Sequence, residues 1–205
     1  MNIGIDIDGV LTNLLSGVKK EYKKFSKLKN GRTVYKREAK SLAELFGVTE
    51  SQDVEFFADY IWVYAEKVKY YRLPKKYIRL LHKQGHKLII ITAREYAGQD
   101  SAKGAQMRAI VERGLAKAGI YYDKIFYTSE IKTKIPVIKE EKIDVFIDDY
   151  ISNIQEISQH VPVICYNQRY NKTYKQSGLR RANNWKEVYK HIIDLQKEGE
   201  KIENK

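Results

Sequence analysis

Two aspartates two residues apart, Asp6 and Asp8, close an apolar run at the start of the chain, MNIGIDIDG. At a strand end followed by Gly9, whose missing side chain lets the backbone turn tightly, such a pair can point both carboxylates out of a sheet toward one ligand. A second pair, Asp148 and Asp149, closes another apolar run, IDVFID, and Thr92 closes a third, KLIIIT, with Ala93 next in the chain. Lys134 lies in the stretch leading into the run that Asp148 ends, and IKTKIP offers Lys132 as a competitor for the same role. Four carboxylates crowded on one rim repel one another. A hard divalent ion with oxygen ligands resolves that repulsion, and Mg²⁺ suits it, because it needs few carboxylates and completes its shell with water and phosphate. One carboxylate then stays ionised and free to attack while its neighbour holds a proton for the leaving group. A threonine hydroxyl and a lysine ammonium are groups that stabilise the equatorial oxygens of a transferring phosphoryl group. The chemistry expected is phosphoryl transfer.

The elements that must position these groups follow from periodicity. Short β-branched runs recur at 2–7, 87–92, 124–128, 143–148 and 161–166, apolar on both faces, as central strands of a parallel sheet require. Helical patterns lie between them. PKKYIRLLHKQG ends at Gly85, and SAKGAQMRAIVERGLAKAGI carries Met107, Ile110, Val111, Leu115 and Ala118 on one face and ends at Gly119. The alternation predicts an α/β fold with a doubly wound parallel sheet, whose ligands bind beyond the carboxyl ends of the strands where the strand order switches. Roughly eighty residues separate the first strand from the second, far more than a crossover needs, so residues 14–72 are expected to form a small helical cap over the sheet. Within it, Phe56, Phe57, Tyr60, Ile61, Tyr64 and Val68 recur at helical spacing. The organisation expected is a core of 1–13 and 73–195, a cap of 14–72, and a polar tail, 196–205, that frays.

The totals exclude several classes. Of 205 residues, 43% are hydrophobic and 31% charged, the balance of a folded globular chain. No apolar stretch approaches the ~20 residues of a membrane span, and the acids of the first run break any signal-peptide pattern, so a cytoplasmic location is expected. The single cysteine, Cys165, sits in the apolar run VPVICY and has no intrachain disulfide partner. A net charge of +12 points to anionic partners. It is unevenly spread: residues 19–40 hold ten Lys/Arg and two Glu, 41–66 six acids and no Lys/Arg, and 67–87 eight Lys/Arg and no acid. Solvated helix faces explain such runs better than a dedicated nucleic-acid surface. The four histidines lack metal-ligand spacing, and Arg94 is expected to be a surface or supporting charge. A dinucleotide fold would need GxGxxG after the first strand and a P-loop GxxxxGK followed by Ser or Thr; neither is present. A nonenzymatic nucleic-acid binder is the alternative from another class, but it leaves the acidic rim unexplained.

DIDGVLTN, IITAR, a lysine before the fourth strand and VFIDDY, in that order, resemble the four motifs of the haloacid dehalogenase (HAD) superfamily of phosphatases and phosphotransferases. The resemblance spans nearly the whole chain, and DGVLTN, the TAR ending and RANNWKEVYKHI resemble its 5'(3')-deoxyribonucleotidase-like branch. It implies a HAD-like Rossmannoid core. Asp6 would be the nucleophile that forms an aspartyl-phosphate, and Asp8 the general acid and base. Mg²⁺ would be held by Asp6, the backbone carbonyl of Asp8 and Asp149, with Asp148 in support, and phosphate by Thr92, Ala93, Gly9 and Lys134, the lysine nine residues before Ile143. Val10 stands where many members have threonine, as the nucleotidase-like branch often does. The substrate implied is a small phosphorylated molecule, a nucleoside monophosphate first and a sugar phosphate or nucleic-acid end second. Phe46, Phe57, Tyr60 and Trp62 of the cap are the residues expected to stack a base. Base, sugar and assembly into a homo-oligomer are left open.

Overall fold

A computed structural model describes residues 1–36, 38–129 and 131–203, with side chains left out at 131, 132, 202 and 203. Its centre is one sheet of six parallel strands in the order β3-β2-β1-β4-β5-β6. The strands are β1 (Asn2–Ile5), β2 (Lys87–Thr92), β3 (Lys124–Tyr127), β4 (Val145–Asp148), β5 (Val163–Tyr166) and β6 (Arg180–Ala182). The first five fall on the five apolar runs. β1, β2, β4 and β5 are buried on both faces because helices cover the sheet front and back, so Ile3, Ile5, Leu88 and Ile90 pack one side while Ile89, Ile91 and Phe146 pack the other, whereas edge strand β3 is exposed at Lys124 and half-buried at its other three residues. Gly4 of β1 lies against the Phe146 ring, where a Cβ would collide, so the two central strands approach closely. The order reverses between β1 and β4, and the crevice beyond their carboxyl ends lies where Asp6, Asp8, Asp148 and Asp149 leave the sheet.

The long insertion is helical: α1 (Leu14–Asn30), α2 (Leu42–Phe46) and α3 (Glu50–Lys67). Asn13 caps α1, Ser41 caps α2, and Thr49 with Gln52 closes a capping box on α3. Their apolar faces meet around Tyr22, which stacks on Phe46 at 4.3 Å and lies 4.0 Å from Phe56, centroid to centroid. The chain enters and leaves the insertion through one antiparallel bridge, Thr12 with Tyr70. Beside it Asn13 N–H donates to Lys69 O (2.8 Å) and Tyr71 N–H to Leu11 O (2.8 Å). The insertion shares its hydrophobic cluster with Met107 and Ile110 of α5 (Ala102–Ala118) and with Tyr170.

The remaining helices, α4 (Leu73–Lys83), α6 (Ile131–Glu140), α7 (Ile151–Ile157) and α8 (Trp185–Glu203), cover the sheet. The polar stretch from residue 196, expected to fray, continues α8 as far as Glu203. Fully buried Trp185 opens that helix and donates Nε1–H to the Val10 carbonyl (3.0 Å), tying the C-terminal helix to the turn after Asp8. No helix among the described residues is long and apolar enough to cross a membrane.

Within the insertion, the Tyr22 hydroxyl donates to Asp53. Burial pushes the Asp53 carboxyl from 3.8 up to about 6, with the Tyr22 hydrogen bond opposing and the Glu50 charge assisting. A folded-state value above the ordinary one means that protonated Asp53 favours the fold, an effect complete below pH 3.8 and lost as the pH rises through 6. Asp53→Asn is therefore expected to exceed the parent in stability above pH 6 by about 2 kcal/mol, allowing for partial exposure, and to converge with it near pH 4. Urea midpoints across that range check it.

Candidate active site

Asp6 follows β1 and is fixed by its backbone N–H, which donates to the Ile147 carbonyl of β4 (3.0 Å). Its Oδ1 accepts from Lys134 Nζ at 2.7 Å, and the same ammonium donates to Asp148 Oδ2 at 3.2 Å. Lys134 comes from the first turns of α6 and is 1% exposed, so its charge is spent inside the protein. Burial works against that charge, but Asp148 and Asp6 outweigh it and hold the ammonium well above its usual range. Burial, with the Asp148 and Asp8 charges, pushes the Asp6 carboxyl up to about 7 in spite of Lys134. The side chain of Lys132, the competing lysine, lies outside the described residues.

Asp8 has a different counter-charge. Arg94, two residues beyond Thr92, donates Nε–H to Asp8 Oδ2 (2.9 Å) and Nη2–H to Oδ1 (2.5 Å), a bidentate clamp. Tyr64 of α3 donates its hydroxyl to Oδ1 at 2.5 Å, and Thr12 adds a longer bond at 3.3 Å. Burial raises the Asp8 carboxyl, yet the Arg94 guanidinium and these hydrogen bonds outweigh it and hold it below the usual carboxylate range. Arg94 is no surface charge: its side chain is fully buried, and Nη1 has no hydrogen-bond partner.

The β4 acids divide their tasks. Asp148 Oδ1 accepts from the backbone N–H groups of Asp149 (2.8 Å) and Tyr150 (2.9 Å), and Asn153 of α7 donates to both its oxygens, at 3.2 and 3.1 Å. With Lys134 as well, its acceptors are engaged, and it does not line the cavity. Asp149 does line it. Its only side-chain hydrogen bond among the described residues comes from the Tyr170 hydroxyl, while Asn171 holds its carbonyl (2.6 Å). Burial and the Asp148 and Asp6 charges push its carboxyl well above the ordinary range. Gly9, at φ +81°, passes so close to this carboxyl that a Cβ would overlap it.

These groups surround a cavity of about 160 Å³ lined by Asp6, Asp8, Thr92, Ala93, Arg94, Lys134, Asp149, Tyr150 and Asn153 with Leu14. A second cavity of about 380 Å³ adjoins it under the insertion. Of the four aromatics expected against a base, Phe57 alone lines either cavity. Phe46 is fully buried on Tyr22, Tyr60 packs on Phe56, and Trp62 stacks on Tyr96 at 5.3 Å. Helical spacing gives the apolar stripe of the insertion but not which part of it faces the crevice. Tyr64, Arg94, Asn153 and Tyr170 escaped the sequence reading as site residues. Only the first two carried a signal, a place in the aromatic stripe and in the TAR ending.

Among the described residues no three His, Cys, Asp or Glu side chains form a metal-holding group, so an all-side-chain cage is absent. Two carboxylates that line the cavity, Asp6 and Asp149, remain. That sparse oxygen set fits Mg²⁺, and the upward push of the two carboxyls reflects unbalanced negative charge that a cation relieves.

No protein-family model matches the chain. Among characterised folds, a HAD-superfamily hydrolase from Ehrlichia chaffeensis superposes with a TM-score of 0.55 at 14% identity, covering 95% of this chain and 96% of that one. D,D-heptose 1,7-bisphosphate phosphatase from B. bronchiseptica, solved with magnesium and phosphate, superposes at 0.56 with 12% identity over 95% and 99% of the two chains. In sequence, the Bacillus subtilis protein named "Putative nucleotidase YqfW" is 28% identical over 192 residues, covering 92% of this chain and 91% of its own. A Clostridium acetobutylicum protein named a nucleotidase is 26% identical over 205 residues, 98% of each chain. The chain has a HAD-like fold and a sequence similar to those of proteins named nucleotidases.

In this HAD-like core the Arg94 clamp is the most directly testable contact. Arg94→Met leaves Asp8 without its counter-charge and should lower the unfolding free energy by about 3 kcal/mol, whereas Arg94→Lys, which restores the charge and one hydrogen bond, should cost less. Urea denaturation of the two variants measures the difference.

Proposed function

We propose that the chain is a cytosolic, Mg²⁺-dependent phosphomonoesterase that works through an aspartyl-phosphate on Asp6 and takes nucleoside monophosphates. The observation that carries the reading is the pairing in one small cavity of two aspartates with opposite environments, Asp6 on Lys134 and Asp8 on Arg94. The end-to-end likeness to proteins named nucleotidases supports the substrate class.

Lys134 holds Oδ1 of Asp6, which leaves Oδ2 to attack phosphorus in line with the ester oxygen. The P–O ester bond breaks as the new bond forms, and Asp8 delivers a proton to the leaving oxygen. Arg94 holds Asp8 ionised, so that proton must arrive with the substrate. A phosphomonoester monoanion, present up to its second pKa of about 6, can bring it. In the second half Asp8, again ionised, takes a proton from water as the water attacks the aspartyl-phosphate, and Asp6 regains its carboxylate. Thr92 and Lys134, which line the cavity, would hold the equatorial oxygens, and Gly9 and Ala93 would let the backbone come close. Mg²⁺ held by Asp6, Asp149 and the Asp8 carbonyl would neutralise phosphoryl charge and lower the repulsion that Asp6 meets in attacking a dianion. The insertion lines the adjoining cavity and contributes Leu14 to this one.

Phosphate release from a panel of nucleoside monophosphates and sugar phosphates, with Mg²⁺ or with a chelator, tests this. Activity is expected with nucleotides and metal only. Asp6→Asn should abolish turnover, and Asp8→Asn should lower kcat by roughly 10²–10⁴. Turnover by Asp6→Asn at the parent's rate would overturn the mechanism.

A further inference from the structure

The chemistry of the larger cavity narrows what the leaving group can be. It shares Asp8, Leu14, Ala93, Arg94 and Tyr150 with the catalytic cavity, so a phosphate seated in the smaller space sends its ester substituent into the larger one. A volume of about 380 Å³ falls in the range of small-molecule pockets, and Phe57 and Ile61 give it apolar sides against which a ring can lie. Beyond the groups of the catalytic cavity, the charged side chains that line it are two carboxylic acids, Asp53 of α3 and Glu95 of the loop after β2. Tyr22 fixes Asp53 from behind by donating to Oδ1, and no hydrogen bond among the described residues reaches Oδ2. Arg94 spends Nε and Nη2 on Asp8 and its side chain is fully buried, so it offers the pocket no free donor. A pocket whose wall carries Asp53 Oδ2 and the Glu95 carboxylate beside apolar Phe57 and Ile61 is complementary to a ring that presents an amino donor.

We propose that this pocket selects a base carrying an exocyclic amino group, so that the nucleoside monophosphates of cytosine, guanine and adenine are preferred over those of thymine and uracil. The inference rests on the nucleotidase reading above. An ionised carboxylate only accepts hydrogen bonds, and an amino group only donates. Thymine and uracil carry no amino group, and their one ring N–H lies between two carbonyl oxygens, so a carboxylate that accepts from it meets a carbonyl oxygen on either side, and that repulsion supplies the discrimination.

The test is the ratio of kcat/KM for deoxycytidine monophosphate to that for thymidine monophosphate, measured with Mg²⁺ in the parent, in Asp53→Asn and in Glu95→Gln. Deoxyguanosine and deoxyadenosine monophosphates and p-nitrophenyl phosphate complete the panel. A ratio of at least about tenfold is expected in the parent. It should fall severalfold in at least one amide variant, because an amide can donate to a carbonyl. A ratio within each variant is independent of its overall activity, and Glu95→Gln tests the second carboxylate independently of Asp53→Asn. Equal rates for the two pyrimidine nucleotides in the parent, or a ratio unmoved in both variants, would overturn the inference and leave the nucleotidase reading intact. Turnover of p-nitrophenyl phosphate with none of the nucleotides would remove that reading and this inference together.

Discussion

Four carboxylates gathered in the crevice between β1 and β4 set the electrostatic problem that the surrounding structure answers. Asp6, Asp148 and Asp149 are buried, and Asp8 keeps only part of its carboxylate in contact with solvent. Removing such charges from water costs several kcal/mol each unless partners replace the solvent. Two cations do so unequally. Lys134 spans Asp6 and Asp148, Arg94 grips Asp8, and Asp149 is left with the neutral hydroxyl of Tyr170. Four negative groups against two positive ones leave the rim short of positive charge, and the excess falls on Asp6 and Asp149, the pair whose carboxyls are pushed up. The deficit is thus localised where a metal ion and a phosphoryl group would meet.

The same arrangement explains why the insertion is bound so tightly to the core. Its connections are joined by the bridge of Thr12 with Tyr70, and Tyr64 reaches down from α3 to the oxygen of Asp8 that also accepts from Arg94. One carboxylate oxygen therefore reads the position of both layers. A displacement of α3 would strip Asp8 of the Tyr64 hydrogen bond and leave its carboxylate to Arg94 and Thr12 alone.

The strands were legible because a parallel strand leaves a continuous apolar run, and five such runs match five strands, β2 to the residue; their order came only with the structure. The sixth, RRA at 180–182, lies at the sheet edge, is half-exposed at two of its three positions and leaves no such run. The acids were legible because they sit at strand ends within a few residues of a glycine or of each other. Arg94, Tyr64 and Tyr170 were not, because their functional meaning lies in partners 86, 56 and 21 residues away that only the fold brings near. Phe46 failed for a related reason: its apolar character was read correctly, but the insertion has its own small core, centred on Tyr22, and the most apolar residues go there before they go to a ligand.

This contrast follows from how the two cavities are built. Apart from Leu14 at the start of α1, every side chain around the smaller one comes from the ends of β1, β2 and β4 or from α6 and α7, elements fixed by the sheet. Phosphoryl chemistry is the same whatever the leaving group, so a rigid frame with few permitted residue types serves it. The walls peculiar to the larger cavity come almost wholly from α2 and α3, whose apolar faces pack toward Tyr22. Asp53 and Phe57 touch Tyr22 as well as the cavity, so they answer to the packing of the insertion and not to that of the sheet. The frame of the smaller cavity and the walls of the larger one are therefore encoded by separate stretches under separate constraints, and the second is the stretch whose pattern is dominated by its own packing.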